Sequence, residues 1–304
     1  MTMTEAGETR PLQAAGSIVA AMVLIGFIDT LVVLIAGIAG LWQFHLVRSL
    51  MSLPILFAVA RAGGLRLRPR RWRPVALRSL FISLSMVLYF GALGFMPVGE
   101  AAAGLFTSPI FVLLISVAVF RERVGWRRAL AVALGFAGVL LVLRPGAEGV
   151  SPAALMPITA ALFYALAAIA TRRWCAREGT LPLLAGFYVF MALWGTLGCL
   201  VLAVWQPVAP DGPEGFLLRG WIPPDATFLS WTAVQAVGSV LGIGLITRGY
   251  LLGEASYVAV FEYTLLIFAA LWGWLLWAQT LTPLSLAGVA LIFASGVVLT
   301  RRAR

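Results

Sequence analysis

AVALGFAGVLLVLR at residues 131–144 returns as GVALIFASGVVLTR at residues 288–301, and this pair decides how the chain folds. The two copies share Val132 with Val289, Ala133 with Ala290, Leu134 with Leu291, Phe136 with Phe293 and Ala137 with Ala294, and each stops at an arginine, Arg144 or Arg301. Each run, with its neighbours, is long enough to cross a hydrocarbon core of about 30 Å at about 1.5 Å per helical residue. Neither alternates apolar with polar residues, as a membrane β-strand would. Upstream of them, in the same order, stand Gly99-Glu100-Ala101 and Gly253-Glu254-Ala255. The chain therefore reads as two similar halves.

Apolar runs of this kind recur from end to end. Helical spans are predicted over 14–36, 41–60, 75–94, 98–119, 127–143, 152–172, 182–204, 229–250, 254–277 and 283–300. With 62% hydrophobic and 11% charged residues and a mean hydropathy of +0.99 over 304 residues, the chain uses lipid as its solvent. The expectation is an all-α membrane protein of ten transmembrane helices with no extramembrane domain. Five spans per half is an odd number, so the second half enters the membrane in the opposite sense. That predicts two inverted five-helix repeats, residues 1–148 and 149–304, the plan of many secondary transporters. The opening MTMTEAGETRPLQ has no basic leader or small-residue cleavage pattern, so the first span is expected to be retained.

All 22 basic residues are arginine. Without a lysine there is no Schiff base, which excludes a retinal protein. Most arginines fall in the N-terminus, in the loops after the second, fourth, sixth and eighth spans, or in the C-terminus, and Arg78 is counted with the loop after the second span. Only Arg144 and Arg219 fall on the other side. By the positive-inside rule both termini face the cytoplasm of a bacterial inner membrane. The same rule accounts for the net charge of +10 without any nucleic-acid partner. Cys175 and Cys199 have neither disulfide nor metal-ligand spacing, and no metal or cofactor is expected.

The most specific stretch, MPVGEAAAGLFTSPIFVLLISVAVFRERVGWRRALAVALGFAGVLLVLRP at 96–145, with its weaker second copy at 252–302, resembles the drug/metabolite transporter superfamily of the EamA type. Glu122 stands where that family has a glutamate between its fourth and fifth helices. The second copy departs from the pattern: Tyr263 stands opposite Pro109, and Gln279 opposite Glu122. Within the superfamily the chain is most similar to aromatic amino-acid exporters of the YddG type. The resemblance implies a monomeric secondary transporter that exports small metabolites, amino acids first, by alternating access through a central cavity. Cationic drugs or other metabolites on the same fold are the alternative.

Ionisable groups in such a protein should face the cavity, because a charge left in lipid costs at least about 2.5 kcal/mol. Glu262, about nine residues into its span, falls near the midplane and is the first choice for the site. It can meet a substrate ammonium, carry a proton, or pair with a neighbouring helix. Arg48 suits a substrate carboxylate, or equally neutralises Asp29 or Glu262. His45, the only histidine, reads as a packing residue or a proton relay. Glu100 and Glu254 open their helices, where a carboxylate complements the helix dipole; a gating role comes second. Tyr89, Tyr164, Phe106 and Tyr263, with Phe90, Phe111 and Phe261, are candidates for aromatic cavity walls. Trp205, Trp221, Trp231, Trp272, Trp274 and Trp277 read as interfacial anchors. Pro109, in the middle of the fourth span, and Gly242, in a GxxxG with Gly238, are candidate hinge and sliding elements; static packing explains them nearly as well.

An intramembrane enzyme would need a nucleophile with its base, or a metal cluster, and one histidine without HExxH supplies neither. There is no repeated selectivity motif for a channel and no GxxxxGK[ST] for a pump.

Overall fold

The computed structural model describes residues 10–92, 98–143, 155–277 and 282–300, which form helices with no strand among the described residues. In chain order the helices are α1 (Pro11–Thr30), α2 (Val32–Ala36), α3 (Leu41–Ala62), α4 (Trp72–Ala92), α5 (Val98–Leu105), α6 (Ser108–Ala118), α7 (Trp126–Leu143), α8 (Leu155–Arg173), α9 (Thr180–Trp205), α10 (Ala226–Leu252), α11 (Ala255–Val258), α12 (Thr264–Trp277) and α13 (Pro283–Thr300). Two 3-10 segments, Gly212–Phe216 and Ala259–Tyr263, interrupt the series. Seven stretches among the described residues are long and apolar enough to cross a membrane: Pro11–Ala36, Leu41–Ala62, Trp72–Ala92, Leu155–Arg173, Thr180–Trp205, Ala226–Leu252 and Ala255–Leu276. Ser108–Ala118 and Leu286–Val298 are shorter apolar helices.

The ends follow from local chemistry. Pro11 opens α1, where its missing N–H has no helical acceptor to lose. Asp225 caps α10 by accepting the Phe228 N–H at 2.7 Å. The C-terminus of α3 closes through Gly64 at φ +60°, with the Leu65 N–H reaching back to the Ala60 carbonyl at 2.8 Å. Only a glycine adopts that left-handed turn at no steric cost.

The most extensive packing pairs α1 with α10, α3 with α9, α4 with α8 and α7 with α13. Lipid gives apolar helices no hydrophobic reason to associate, so close backbone approach through small residues does the work. On α10, Gly238, Gly242 and Gly249 receive Ile28, Ile25 and Ile18 of α1; the numbers run in opposite senses because the helices are antiparallel. A Cβ on Gly242 would lie 2.5 Å from Ile25 Cδ1. The candidate sliding element is thus a filled groove in this conformation. Between α7 and α13, Gly138 faces the Gly288 carbonyl and Ile292. The far side of α9 presents Leu193, Leu197, Leu200 and Val204 at helical spacing, a lipid-facing stripe.

Three expectations are corrected. The span over 98–119 is not continuous: it breaks at Phe106–Thr107 into α5 and α6, and Pro109 sits in the first turn of α6. There it forfeits no hydrogen bond, since first-turn N–H groups have no intrahelical acceptor. Arg78 is not a loop residue but is buried inside α4. Trp272 is no interfacial anchor: its indole N–H donates to the Val23 carbonyl at 2.9 Å and its ring packs edge-on against Phe27, clamping α12 to α1. Trp205, Trp221 and Trp274 are exposed, whereas Trp231 packs inward beside Phe44 and Phe228. Arg144, Arg301 and Gln279 lie outside the described residues.

Candidate functional site

The GEA match sets residues 99–101 opposite 253–255, and at the same offset the break at Phe106–Thr107 falls opposite Val260–Phe261, inside the 3-10 segment Ala259–Tyr263. Two helices with related sequences thus lose α-helical continuity at corresponding points. At each break a threonine takes up a carbonyl three residues back: Thr107 donates to Gly104 and Thr264 to Phe261, both at 2.6 Å. In the second copy the residue held at the break is Glu262.

Glu262 is buried, with 5% of its surface accessible. Its Oε1 accepts the hydroxyl of Tyr164 (α8) at 2.7 Å and that of Tyr250 (α10) at 3.0 Å. Both phenols converge on one oxygen, and Oε2 has no hydrogen-bond partner among the described residues. The ion pairs found among the described residues are Arg128–Glu254 and Arg173–Glu122, so none of the described cations lies within 4.0 Å of Glu262. A carboxyl held by neutral donors in a membrane-embedded site has room to take a proton or a ligand cation.

A second polar group lies on α1, α3 and α4. Arg48, 6% accessible, stacks over Phe44 at 4.9 Å, and its Nη2 donates to His45 Nδ1 at 3.2 Å. Because a guanidinium only donates, Nδ1 is the acceptor, which leaves the proton of a neutral imidazole on Nε2. Arg48 Nε and His45 Nε2 are both buried without a hydrogen-bond partner. Buried donors without a partner are rare in a native interior, and an anionic acceptor at either one would satisfy it. Asp29 makes no ion pair with Arg48 among the described residues, and it is exposed although α1 is a membrane helix. Tyr89 packs edge-on against Phe90, whose ring meets His45 at 4.9 Å.

The sequence-predicted residues therefore separate. Glu262 and Tyr164 come together; Asp29, Arg48 and Tyr89 form the other group. Arg48 pairs with neither Asp29 nor Glu262 at 4.0 Å or closer. Tyr263 and Phe106 lie elsewhere, 6.1 Å apart in the buried cluster of Val132, Val260 and Ile292, with Tyr263 against Gly135 of α7. Their surroundings are packing ones, since consecutive residues of a helical segment point to different faces. Glu254 is the N-cap residue of α11, but its side chain makes no capping bond; it pairs with Arg128 Nη1 at 2.6 Å, tying α11 to α7. The side chain of Glu100 lies outside the described residues.

Two participants were not anticipated. Tyr250 sits in the last turn of α10, where an isolated tyrosine in an apolar span carries no distinguishing signal. Arg78 donates to Thr171 Oγ1 at 3.0 Å, to the Leu183 carbonyl at 3.2 Å and to Thr247 Oγ1 at 3.2 Å, joining α4 to α8, α9 and α10. Hydroxyls at Thr171 and Thr247 were its only legible trace.

The description EamA-like transporter family matches residues 13–144 and again residues 151–301. The chain belongs to the EamA-like transporter family. This EamA-like protein is a multi-pass membrane transporter, of the drug/metabolite transporter type. Its relatives include the pseudopaline exporter CntI of Pseudomonas aeruginosa, 28% identical over 84% of each chain. A riboflavin transporter of Rhizobium johnstonii is also 28% identical, over 86% of this chain and 80% of that one. An S-adenosylmethionine uptake transporter of Rickettsia prowazekii is 24% identical over 72% and 69%. A solved crystal structure superposes with a TM-score of 0.72 over 94% of the EamA-like chain and 96% of its own, at 21% identity, which shows a shared fold.

Proposed function

We propose that the protein exports amino acids, aromatic or otherwise neutral, across a bacterial inner membrane by alternating access, in the manner of exporters of the YddG type. The observation that carries this reading is the Glu262 carboxyl, buried at a helix break with two phenol hydroxyls on one oxygen and no described cation within 4.0 Å. Glu262 receives the substrate ammonium, while Arg48 Nε and His45 Nε2, in the separate polar group, offer donors to an anionic group at another point of the transport path. Tyr89 and Tyr164 supply aromatic surface, and Asp29 sets the charge at the exposed end of the site.

Both termini are cytoplasmic in this reading, and residues 1–148 and 149–304 are inverted five-helix repeats that give ten spans in a monomer. The packing supports this: α1 with α10 and α4 with α8 are counterparts under the repeat, as are α1 with α12 and α8 with α6. The breaks at 106–107 and 259–263 are the bending points, with Pro109 opening the segment beyond the first, and Gly242 lets α10 slide on α1. On the arginine-rich side, Arg128–Glu254 and Arg173–Glu122 at 2.5 Å hold the transporter closed towards the cytoplasm.

The test is transport of labelled phenylalanine, tryptophan, threonine and methionine into proteoliposomes, with and without a pH gradient. Saturable movement competed by unlabelled amino acid, reduced at least about tenfold in a folded Glu262→Gln variant, is the expected result. Riboflavin is the second substrate to assay, because a relative carries that name and the tyrosines suit a flat ring. Movement of riboflavin and of no amino acid would replace the amino-acid reading.

A further inference from the structure

LRLRPR at residues 65–70 alternates apolar residues with arginine and lies between α3 and α4 outside any helix, with bends at Arg68 and Arg70. Arg66, Arg68 and Arg70 are exposed while Leu67 and Pro69 between them are half-buried, so the three arginines share the open side. Leu67 turns the other way and packs against the buried cluster of Leu56, Ile82 and Leu184. The segment is pinned at both ends. Gly64 starts it through the α3 C-cap, and Glu178 ends it by accepting the backbone N–H groups of Arg70 at 2.9 Å and Arg71 at 2.7 Å.

The arginine side lines a groove of about 340 Å³ whose opposite wall is Glu178, Gly179 and the first turn of α9. Three arginines and one glutamate line it, and both oxygens of that carboxylate accept backbone N–H groups. No hydrogen bond or ion pair engages the side chains of Arg66, Arg68 or Arg70 among the described residues. The groove therefore presents a net positive surface that none of the described residues neutralises.

Its neighbours are apolar and exposed. Phe57, Leu65 and Trp72 are 59%, 57% and 67% accessible, and Arg73 stacks over Trp72 at 5.5 Å. A cationic groove at the end of two membrane helices, bordered by side chains that seek lipid, fits an anion that brings its own acyl chains. We propose that this groove binds the phosphate headgroup of an anionic phospholipid, with Arg66, Arg68 and Arg70 holding the phosphate and Trp72 and Phe57 against the chains. The assignment is independent of the transport site and of what the protein carries.

The test is native mass spectrometry of the purified full chain exchanged into equal amounts of phosphatidylglycerol and phosphatidylcholine. The wild type should retain phosphatidylglycerol preferentially. R66Q/R68Q/R70Q should lower that retention about tenfold, while R123Q/R127Q/R248Q, which removes the same charge elsewhere on the arginine-rich side, leaves it nearly unchanged. The three lining arginines are exposed, and a thermal melt checks that the variant is folded. Equal retention of both lipids, or equal loss in both triple variants, would overturn the proposal. Displacement of phosphatidylglycerol by millimolar inorganic phosphate would also overturn it, because the groove would then be a site for free phosphate.

Discussion

Removing the hydroxyl of Tyr164 tests whether Glu262 works as a charge. The phenol O–H donates to Oε1 at 2.7 Å inside the membrane, beside a second donor from Tyr250 at 3.0 Å. A hydrogen bond to a charged group contributes about 1.5–3 kcal/mol, whereas one between neutral partners contributes about 0.5–1.5 kcal/mol. Phenylalanine keeps the ring and its packing, so the loss is that of the hydroxyl alone. If Glu262 is ionised in the folded protein, Tyr164→Phe should destabilise the fold by about 1.5–3 kcal/mol in the wild-type background. In a Glu262→Gln background, where the acceptor is neutral, the same change should cost only about 0.5–1.5 kcal/mol. Because Tyr250 shares the oxygen, Tyr164→Phe with Tyr250→Phe should cost more than the sum of the two singles. Thermal unfolding of detergent-purified protein without substrate reads all of this. An equal loss in the wild-type and Glu262→Gln backgrounds would refute the reasoning, since the hydroxyl would then act through something other than the charge it faces.

The glycine groove of α10 should be position-specific. Gly242→Ala places a methyl 2.5 Å from Ile25 Cδ1 and should destabilise the folded protein by about 1–3 kcal/mol, whereas Gly244→Ala, whose nearest contact is Leu184 Cδ2 at 3.6 Å, should be neutral or slightly stabilising. Fluorescence-detected thermal unfolding separates them, and identical behaviour would mean that α1 does not fill the groove. Cys175, in the loop after α8, is fully buried, and burial pushes its thiol up to about 11 against the opposing pull of Arg78. A raised thiol pKa keeps the sulfur protonated at neutral pH, so in a Cys199→Ser background maleimide labelling at pH 7.5 should be slow. It should rise about tenfold per pH unit up to about pH 11; a plateau by pH 9 would show an ordinary, accessible thiol.

Glu262 was recognisable as a site candidate because a carboxyl well inside an apolar span is costly and therefore seldom idle. Tyr164 was named as a cavity wall, but its pairing with Glu262, and Tyr250 altogether, were not legible, because Tyr164 lies 98 positions away and Tyr250 12, and neither separation has a helical period that would bring the side chains together. Tyr263, expected as an aromatic cavity wall on a different face of the helix from Glu262, packs against Gly135 instead. Pro109 stands just beyond the first helix interruption, in the first turn of α6, rather than at it. The second interruption has Tyr263 at the matching position and carries no proline signal at all.

Solvent, class and repeat were decided by the sequence alone, because they depend on sums and order along the chain. Mean hydropathy selects lipid, run length selects helices that cross it, and the paired motifs at 99–101 with 253–255 and 131–144 with 288–301 declare two related halves. The tertiary structure alone decided what each polar group meets. It buried Arg78 among three other helices, left Arg48 Nε and His45 Nε2 without acceptors, sent Glu254 to Arg128 and set two phenols on one oxygen of Glu262. A hydrogen bond is satisfied or lost over less than an ångström. That distance is set by how antiparallel helices seat their small residues against one another, and no window of sequence contains it.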